Sequence, residues 1–252
     1  MTKTVVITGA SGTLGCAIAQ HLATLGWNLV LTSRDASSCQ PLAKKLRTAG
    51  VRVETLSLDL LDRESTETLS DRIAEKGVCV THVVSNARSL DALTVGQDGL
   101  AQPEPFISEL TIDVVGPYRL LMSFARDERH NLSGVVTVGS QYGEVAPNPA
   151  LYDGDLSRSP VQYGVAKAAL HHLTRELAVR LAPTVRVNCV AYGGFVGRTD
   201  DAFQERYARL APLGRMLRTT DAGGPVAFLL DDAAASAVTG HVLVADGGWS
   251  VW

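Results

Sequence analysis

This sequence predicts one doubly wound α/β domain of about seven parallel strands with helices on both faces, and three observations carry the prediction. Short β-branched runs alternate with helically spaced apolar residues along the whole chain, a glycine-rich turn joins the first run to the first helix, and no linker or repeat interrupts the 252 residues. That length suits a single large domain spanning 1–252, and a hydrophobic content of 46% can supply its core. The 23 basic and 26 acidic residues leave a net charge of −3 with no long run of either sign, which argues against nucleic-acid and membrane-surface roles. No apolar run approaches the ~18 residues of a membrane span. Met1-Thr2-Lys3 leads straight into a strand-like run, so a cytoplasmic protein without a signal peptide is expected. Cys16, Cys39, Cys79 and Cys189 lie far apart with no C-x-x-C, and read as reduced thiols. His171 and His172 are adjacent and face different sides of their helix, which suggests a polar flank and no metal site.

Taken in order, Thr4 to Thr8 reads as a buried parallel strand. It runs into Gly9-Ala10-Ser11-Gly12-Thr13-Leu14-Gly15, after which Leu14, Ile18, Leu22 and Leu25 keep helical spacing up to Gly26. Glycines let the backbone turn sharply and approach a pyrophosphate, while the free N–H groups of the helix start point at it; Gly9, Ser11, Gly12, Thr13, Leu14 and Gly15 are the expected cradle. A second strand, Asn28 to Thr32, ends in Ser33-Arg34-Asp35. An acid at this strand end would repel a ribose 2′-phosphate and an arginine would pair with it, so Ser33 and Arg34 point to NADP(H), with Asp35 capping the next helix. That helix passes Leu42 and Leu46 to Gly50, and a strand over Val51–Leu56 leads to Asp59 and Leu60, placed to border the adenine. Asp62 begins a helix ending near Gly77, Val78 to Val84 makes a fourth strand, and Asn86-Ala87 follows it.

Ser89 to Pro105 reads as a loop or partly helical flap, and a helix from about Phe106 to Arg129 is interrupted at Gly116-Pro117. The fifth strand, Gly134 to Gly139, ends in Ser140; Gly143 to Pro160 is irregular; Val161 to Leu181 is one long helix packed through Val165, Ala168, Ala169, Leu173, Leu177 and Leu181. Val185 to Val190 is a sixth strand opening into Gly193-Gly194, Asp200 to Leu230 holds two short helices, and Thr239 to Asp246 is the last strand.

Tyr163 and Lys167, four apart, project from one face of the long helix. A tyrosine ordinarily loses its proton near pH ~10, and a neighbouring ammonium favours the phenolate, so this tyrosine could exchange a proton with an alcohol oxygen near neutral pH. Tyr-x-x-x-Lys alone is common by chance; here a dinucleotide turn precedes it and a serine hydroxyl lies just upstream.

Together these motifs resemble the short-chain dehydrogenase/reductase family over the full length of the chain, with its Rossmann fold. Thr8-Gly9 and Gly15, Asn86-Ala87, Ser140, Tyr163 with Lys167, Tyr192-Gly193 and Asp246 to Gly248 match the family's motifs in order. The resemblance implies that Ser140 polarises a substrate carbonyl and that Tyr163 is acid in reduction and base in oxidation. It implies that Lys167 holds the nicotinamide ribose, and that Asn86, Ala87, Tyr163, Lys167, Gly193 and Val196 contact the cofactor. It also implies a homotetramer or homodimer built on the Tyr163 helix and the last strand.

Four departures stand out. Thr13 replaces the family's middle glycine, Arg88 replaces the last glycine of Asn-Asn-Ala-Gly, and Asp113 replaces the helix asparagine of the proton relay. Ser140 and Tyr163 are 23 positions apart, longer than the family's usual spacing, so Gly143 to Pro160 carries an insertion. The insertion, Ala211 to Met216 and Gly247-Gly248-Trp249 are similar to a branch found with bacterial surface-polysaccharide and flagellin-sugar pathways. The expected activity is NADP(H)-dependent hydride transfer between nicotinamide and a carbonyl or secondary alcohol of a small molecule, with a sugar or sugar derivative as substrate. Tyr142, Tyr152, Asp153, Asp155, Arg158, Tyr192 and Arg198 are candidates to line a polar pocket. A 3-oxoacyl-thioester reductase is the alternative enzyme, and an NADP(H)-sensing binding protein the alternative outside enzymes.

Overall fold

The computed structural model describes residues 3–197 and 199–252. Seven strands, β1 (Thr4–Ile7), β2 (Asn28–Ser33), β3 (Val53–Ser57), β4 (His82–Ser85), β5 (Gly134–Ser140), β6 (Arg186–Tyr192) and β7 (Val242–Ala245), pair in parallel in the order β3-β2-β1-β4-β5-β6-β7. Strand order reverses between β1 and β4, so their C-terminal ends splay apart and open a crevice, where open α/β sheets bind ligands.

Helices cover both faces because the central strands are apolar on both. On one face α1 (Thr13–Thr24), α2 (Gln40–Arg47) and α9 (Gly223–Leu230) enclose a core with Ile7, Ile18, Leu22, Leu31 and Val226. On the other, α3 (Arg63–Glu67), α4 (Leu69–Ala74), α5 (Pro103–Leu110), α6 (Gly116–Arg126) and α7 (Val161–Leu181) form a layer whose core includes Val6, Ile73, Val83, Leu120, Leu121, Phe124 and Leu177. A third cluster, Leu151, Tyr152, Phe203, Tyr207, Met216 and Trp249, sits under the insertion and α8 (Asp201–Leu210).

Four expectations change. The helix after Asp62 breaks at Thr68, whose hydroxyl donates back to the Glu64 carbonyl (2.8 Å), so α3 and α4 replace one helix. Val78 to Thr81 is buried at its apolar positions, yet Val80 bonds the His130–Asn131 loop and no strand, so β4 starts only at His82. The interruption expected at Gly116-Pro117 lies one turn earlier, as a π-helical turn over Thr111–Val115, because Pro117 has no N–H for the Asp113 carbonyl. The packed face of α7 is also different: Gln162, Ala166, Lys167, Leu170, His171, Thr174, Leu177 and Ala178 are buried, while Val165 is 44% exposed. His171 is therefore no surface flank. Its Nδ1 meets Glu144 at 2.8 Å, and burial pulls its imidazole below the ordinary value against the pull of that carboxylate.

Candidate active site

The crevice is built by contacts that only glycine permits. Gly9 has φ +66°, and a Cβ there would lie 2.7 Å from the Ala87 Cα; a Cβ on Gly15 would lie 2.4 Å from the Gly9 carbonyl oxygen. Thr8 and Asn86 join the two loops: Thr8 Oγ1 accepts from the Asn86 and Ala87 N–H groups (both 2.9 Å), and Asn86 Nδ2 donates to the Thr8 carbonyl (2.8 Å). Gly12 is different, with φ −76° and room for a side chain. Thr13 opens α1 as an exposed residue, and no side chain caps that helix. Free N–H groups at the start of a twelve-residue helix, on a floor no Cβ can enter, fit a dinucleotide pyrophosphate.

At the end of β2, Ser33 is buried and its hydroxyl donates to the Asp35 carbonyl (2.6 Å), so it stands there as a neutral group. Arg34 is exposed and meets Asp91 at 3.5 Å; both partners are open to water, so the pair is weak. Asp35 caps the next turn as expected, accepting from Ser37 N at 2.9 Å. Asp59 accepts from Leu61 N (2.9 Å), and the Leu60 side chain is a core group beside Gly116. Gly193 packs on Tyr207 and Asp246, while Val196 is 43% exposed and bonds Leu217 through its backbone.

Ser140 ends β5, and its Oγ accepts from Tyr142 N (3.2 Å). Tyr163 and Lys167 occupy consecutive turns of α7, with the Lys167 ammonium 5.7 Å from the Tyr163 ring centre. Lys167 is almost wholly buried. Its ammonium donates to the Val138 carbonyl (3.1 Å) and to Asp113 Oδ1 (3.1 Å), with Oδ2 at 3.0 Å. Burial alone would depress that ammonium; Asp113, and then Tyr163, outweigh it and hold Lys167 above the ordinary lysine value. Arg88 is exposed, with its guanidinium 5.3 Å from the Tyr163 ring centre.

Glu109 escaped the sequence reading. It is 1% exposed, neither carboxyl oxygen has a partner among the described residues, and burial, reinforced by Asp113, pushes its carboxyl up to about 7. Its position four residues before Asp113 was the available clue, since that spacing places both acids on one helical face.

The expected pocket residues divide. Tyr152 is buried in the third cluster, its hydroxyl 2.6 Å from that of Tyr142, and Asp153 pairs with Arg206 (3.1 Å). Asp155 caps its own turn through Ser157 N (3.1 Å), and Tyr192 is buried with its hydroxyl donating to the Ala222 carbonyl. These four hold structure together. Arg158 is exposed, and Arg198 lies outside the described residues.

A seven-strand parallel sheet with helices on both faces and a glycine turn opening its first helix at the switch point defines a Rossmann-fold protein. The family model described as enoyl-(acyl carrier protein) reductase matches residues 9–250. The chain is 33% identical to an uncharacterised oxidoreductase of Bacillus subtilis, over 99% of each chain. It is 30% identical to a cis-4-hydroxycyclohexanecarboxylate dehydrogenase of Sinomonas cyclohexanicum (98% of this chain, 96% of the relative). It is 28% identical to a galactitol 2-dehydrogenase of Rhizobium johnstonii (98% and 95%). Among solved structures, a short-chain type dehydrogenase/reductase from Mycobacterium marinum superposes with a TM-score of 0.83 at 26% identity, covering 98% of this chain and 95% of that one. The chain belongs to the short-chain dehydrogenase/reductase family of oxidoreductases.

Proposed function

We propose that this protein is an NADP(H)-dependent oxidoreductase that interconverts a secondary alcohol and a ketone on a small polar molecule, with a polyol, sugar or hydroxylated ring as the substrate class. The observation that supports the reading is that Tyr163 and Lys167 share one face of α7, with the Lys167 ammonium bonded to the Val138 carbonyl two residues before Ser140. Gly9, Ser11, Gly12, Thr13, Leu14 and Gly15 would hold the pyrophosphate, Arg34 the 2′-phosphate beside neutral Ser33, and Asp59 with the Leu60 backbone the adenine. Asn86, Ala87, Gly193 and Val196 would border the remainder. Bound there, the cofactor would supply or accept the hydride.

The residues of the chain do the rest. Ser140 Oγ donates to the carbonyl oxygen and stabilises the charge that develops there in reduction. Tyr163 gives its phenolic proton to that oxygen, and in oxidation takes the alcohol proton back. Val138 and Asp113 take two of the three Lys167 N–H bonds, so one remains for a ribose hydroxyl or Tyr163. The substrate class draws support from two relatives, one named for galactitol and one for a hydroxylated cyclohexane acid. The loop acids and Tyr152 no longer support it, because their polar groups are used by the fold.

A panel of polyols, cyclic secondary alcohols and acetoacetyl thioesters, read through NADPH absorbance, tests the reading. Polyols or cyclic alcohols should turn over, and Tyr163→Phe should abolish that turnover while the cofactor still binds. Efficient reduction of the thioester with polyols ignored would transfer the assignment to acyl reduction, and cofactor binding without turnover on any class would leave a sensor.

A further inference from the structure

Near Tyr163 lies a group of buried charges of which the proposed chemistry uses only Lys167. Glu109, Asp113 and Lys167 are 1%, 2% and 4% exposed, so two carboxyls share the interior with one ammonium. Asp113 accepts from that ammonium through Oδ1, with Oδ2 3.0 Å from it in the ion pair, whereas Glu109, on α5 one turn earlier, has no hydrogen-bond partner for either oxygen among the described residues. A full charge left unpaired at such a place costs several kcal/mol, so the group keeps its proton unless solvent or a second cation reaches it. Arg88, over the Tyr163 ring, is that second cation, and it is exposed. On the far side, one turn beyond Lys167, His171 is tied to Glu144.

We propose that Glu109 is a positioning residue of this site: a buried carboxyl that acts through Asp113 and Lys167 to set how readily Tyr163 gives up its proton. With Glu109 neutral, Asp113 and Lys167 balance, and Arg88 is the uncompensated cation beside the Tyr163 ring, favouring a developing phenolate. Once Glu109 ionises, a second buried negative charge stands on the Asp113 side of Lys167 and opposes any negative charge on Tyr163. Reduction, in which Tyr163 passes its proton to the substrate oxygen, is then slowed. The inference rests on the proposed role of Tyr163 and assigns no bond-making step to Glu109.

The first test needs neither substrate nor cofactor. Protein carrying carbon-13 at the glutamate carboxyl and the tyrosine ζ carbon is titrated by NMR from pH 5 to 9, with Tyr163→Phe assigning the Tyr163 signal and Glu109→Gln the carboxyl. One glutamate should titrate near pH 7, and the Tyr163 signal should step at the same midpoint. Both features should vanish in Glu109→Gln and in Glu109→Leu, which removes the charge without an amide. In turnover, the fall in reductive kcat that Glu109 ionisation causes near pH 7 should be absent from these variants, with KM little changed. The proposal is overturned if no glutamate of the parent protein titrates near neutrality, or if the Tyr163 step survives in either variant. Failure of the chemical reading looks different: Tyr163→Phe would keep its turnover while the glutamate still titrated.

Discussion

Arg34 and Glu109 are where single side chains have measurable consequences. Arg34 is exposed and its partner Asp91 is equally open, so little is lost when the guanidinium turns to a 2′-phosphate instead. Arg34→Ala should weaken NADPH binding by ~1.5–3 kcal/mol, the worth of a charge-assisted hydrogen bond, and leave NADH almost unchanged. Calorimetric titration of both cofactors into parent and variant checks this, and equal parent affinities would remove the NADP(H) assignment. For Glu109 the folded carboxyl titrates near 7, above its ordinary value of 4.5. Between those values the folded protein holds a proton that the unfolded chain has lost, so stability falls as pH rises through that window and levels off above about 7. The total loss is on the order of 3 kcal/mol. Urea midpoints of Glu109→Gln should lack that slope between pH 5 and 7, and the variant should gain on the parent at pH 8.

Among elements, the insertion between Ser140 and Tyr163 differs most from its expected character. Polar residues suggested a wall of hydroxyl-binding groups, yet the segment is folded over its own small core. Leu151 is fully buried, Tyr152 meets Phe203 edge-on with ring centres 5.7 Å apart, and Arg206 Nε donates to the Leu151 carbonyl (3.0 Å). Trp249 belongs to the same cluster, stacked near Tyr207 at 6.1 Å. The loop therefore holds α8 beside the site, and cutting it to the usual family length would strip α8 of its packing. Leu151→Ala should cost about 2–5 kcal/mol of stability, the range for a buried leucine leaving a cavity. It should raise KM for the substrate and leave NADPH affinity intact, because the crevice proposed for the cofactor lies at β1 and β4. Denaturation and steady-state kinetics on one preparation separate the two effects, and a loss of NADPH binding would contradict this division of labour.

For the whole molecule, several apolar residues left in the open lie on the surfaces where the family resemblance puts subunit contacts. Val161, Val165 and Val179 of α7 are 53%, 44% and 78% exposed, and Phe228 of α9 and Val244 of β7 are 43% and 39% exposed. Trp249 is buried, but Val251 and Trp252 remain exposed at the chain end. An assembly of four copies, or of two, would cover such faces. Sedimentation equilibrium should find the assembled species, and Val165→Asp should shift it toward smaller ones without unfolding the subunit, since that position touches no core. A parent protein that sediments as a monomer at micromolar concentration would count against assembly.

How much of this was legible beforehand follows from how local each cause is. Strand, turn and helix at Thr4–Thr24, the Tyr163–Lys167 pair and the ends of α7 were readable because β-branching, glycine spacing and a four-residue interval are properties of neighbours along the chain. The π turn, the break at Thr68 and the late start of β4 depended on which backbone groups found partners far away, and periodicity carries no record of that. The site divides in the same way. The sequence by itself determined the turn, the serine, the tyrosine and the lysine. Only the tertiary structure decided that Asp113 grips Lys167, that Glu109 is buried near them without a hydrogen-bond partner among the described residues, and that Tyr152 is core and not pocket. The physical reason is burial: whether a carboxyl or a phenol is a solvated surface group or a costly interior one depends on which helix covers it, and that is settled only when the layers pack.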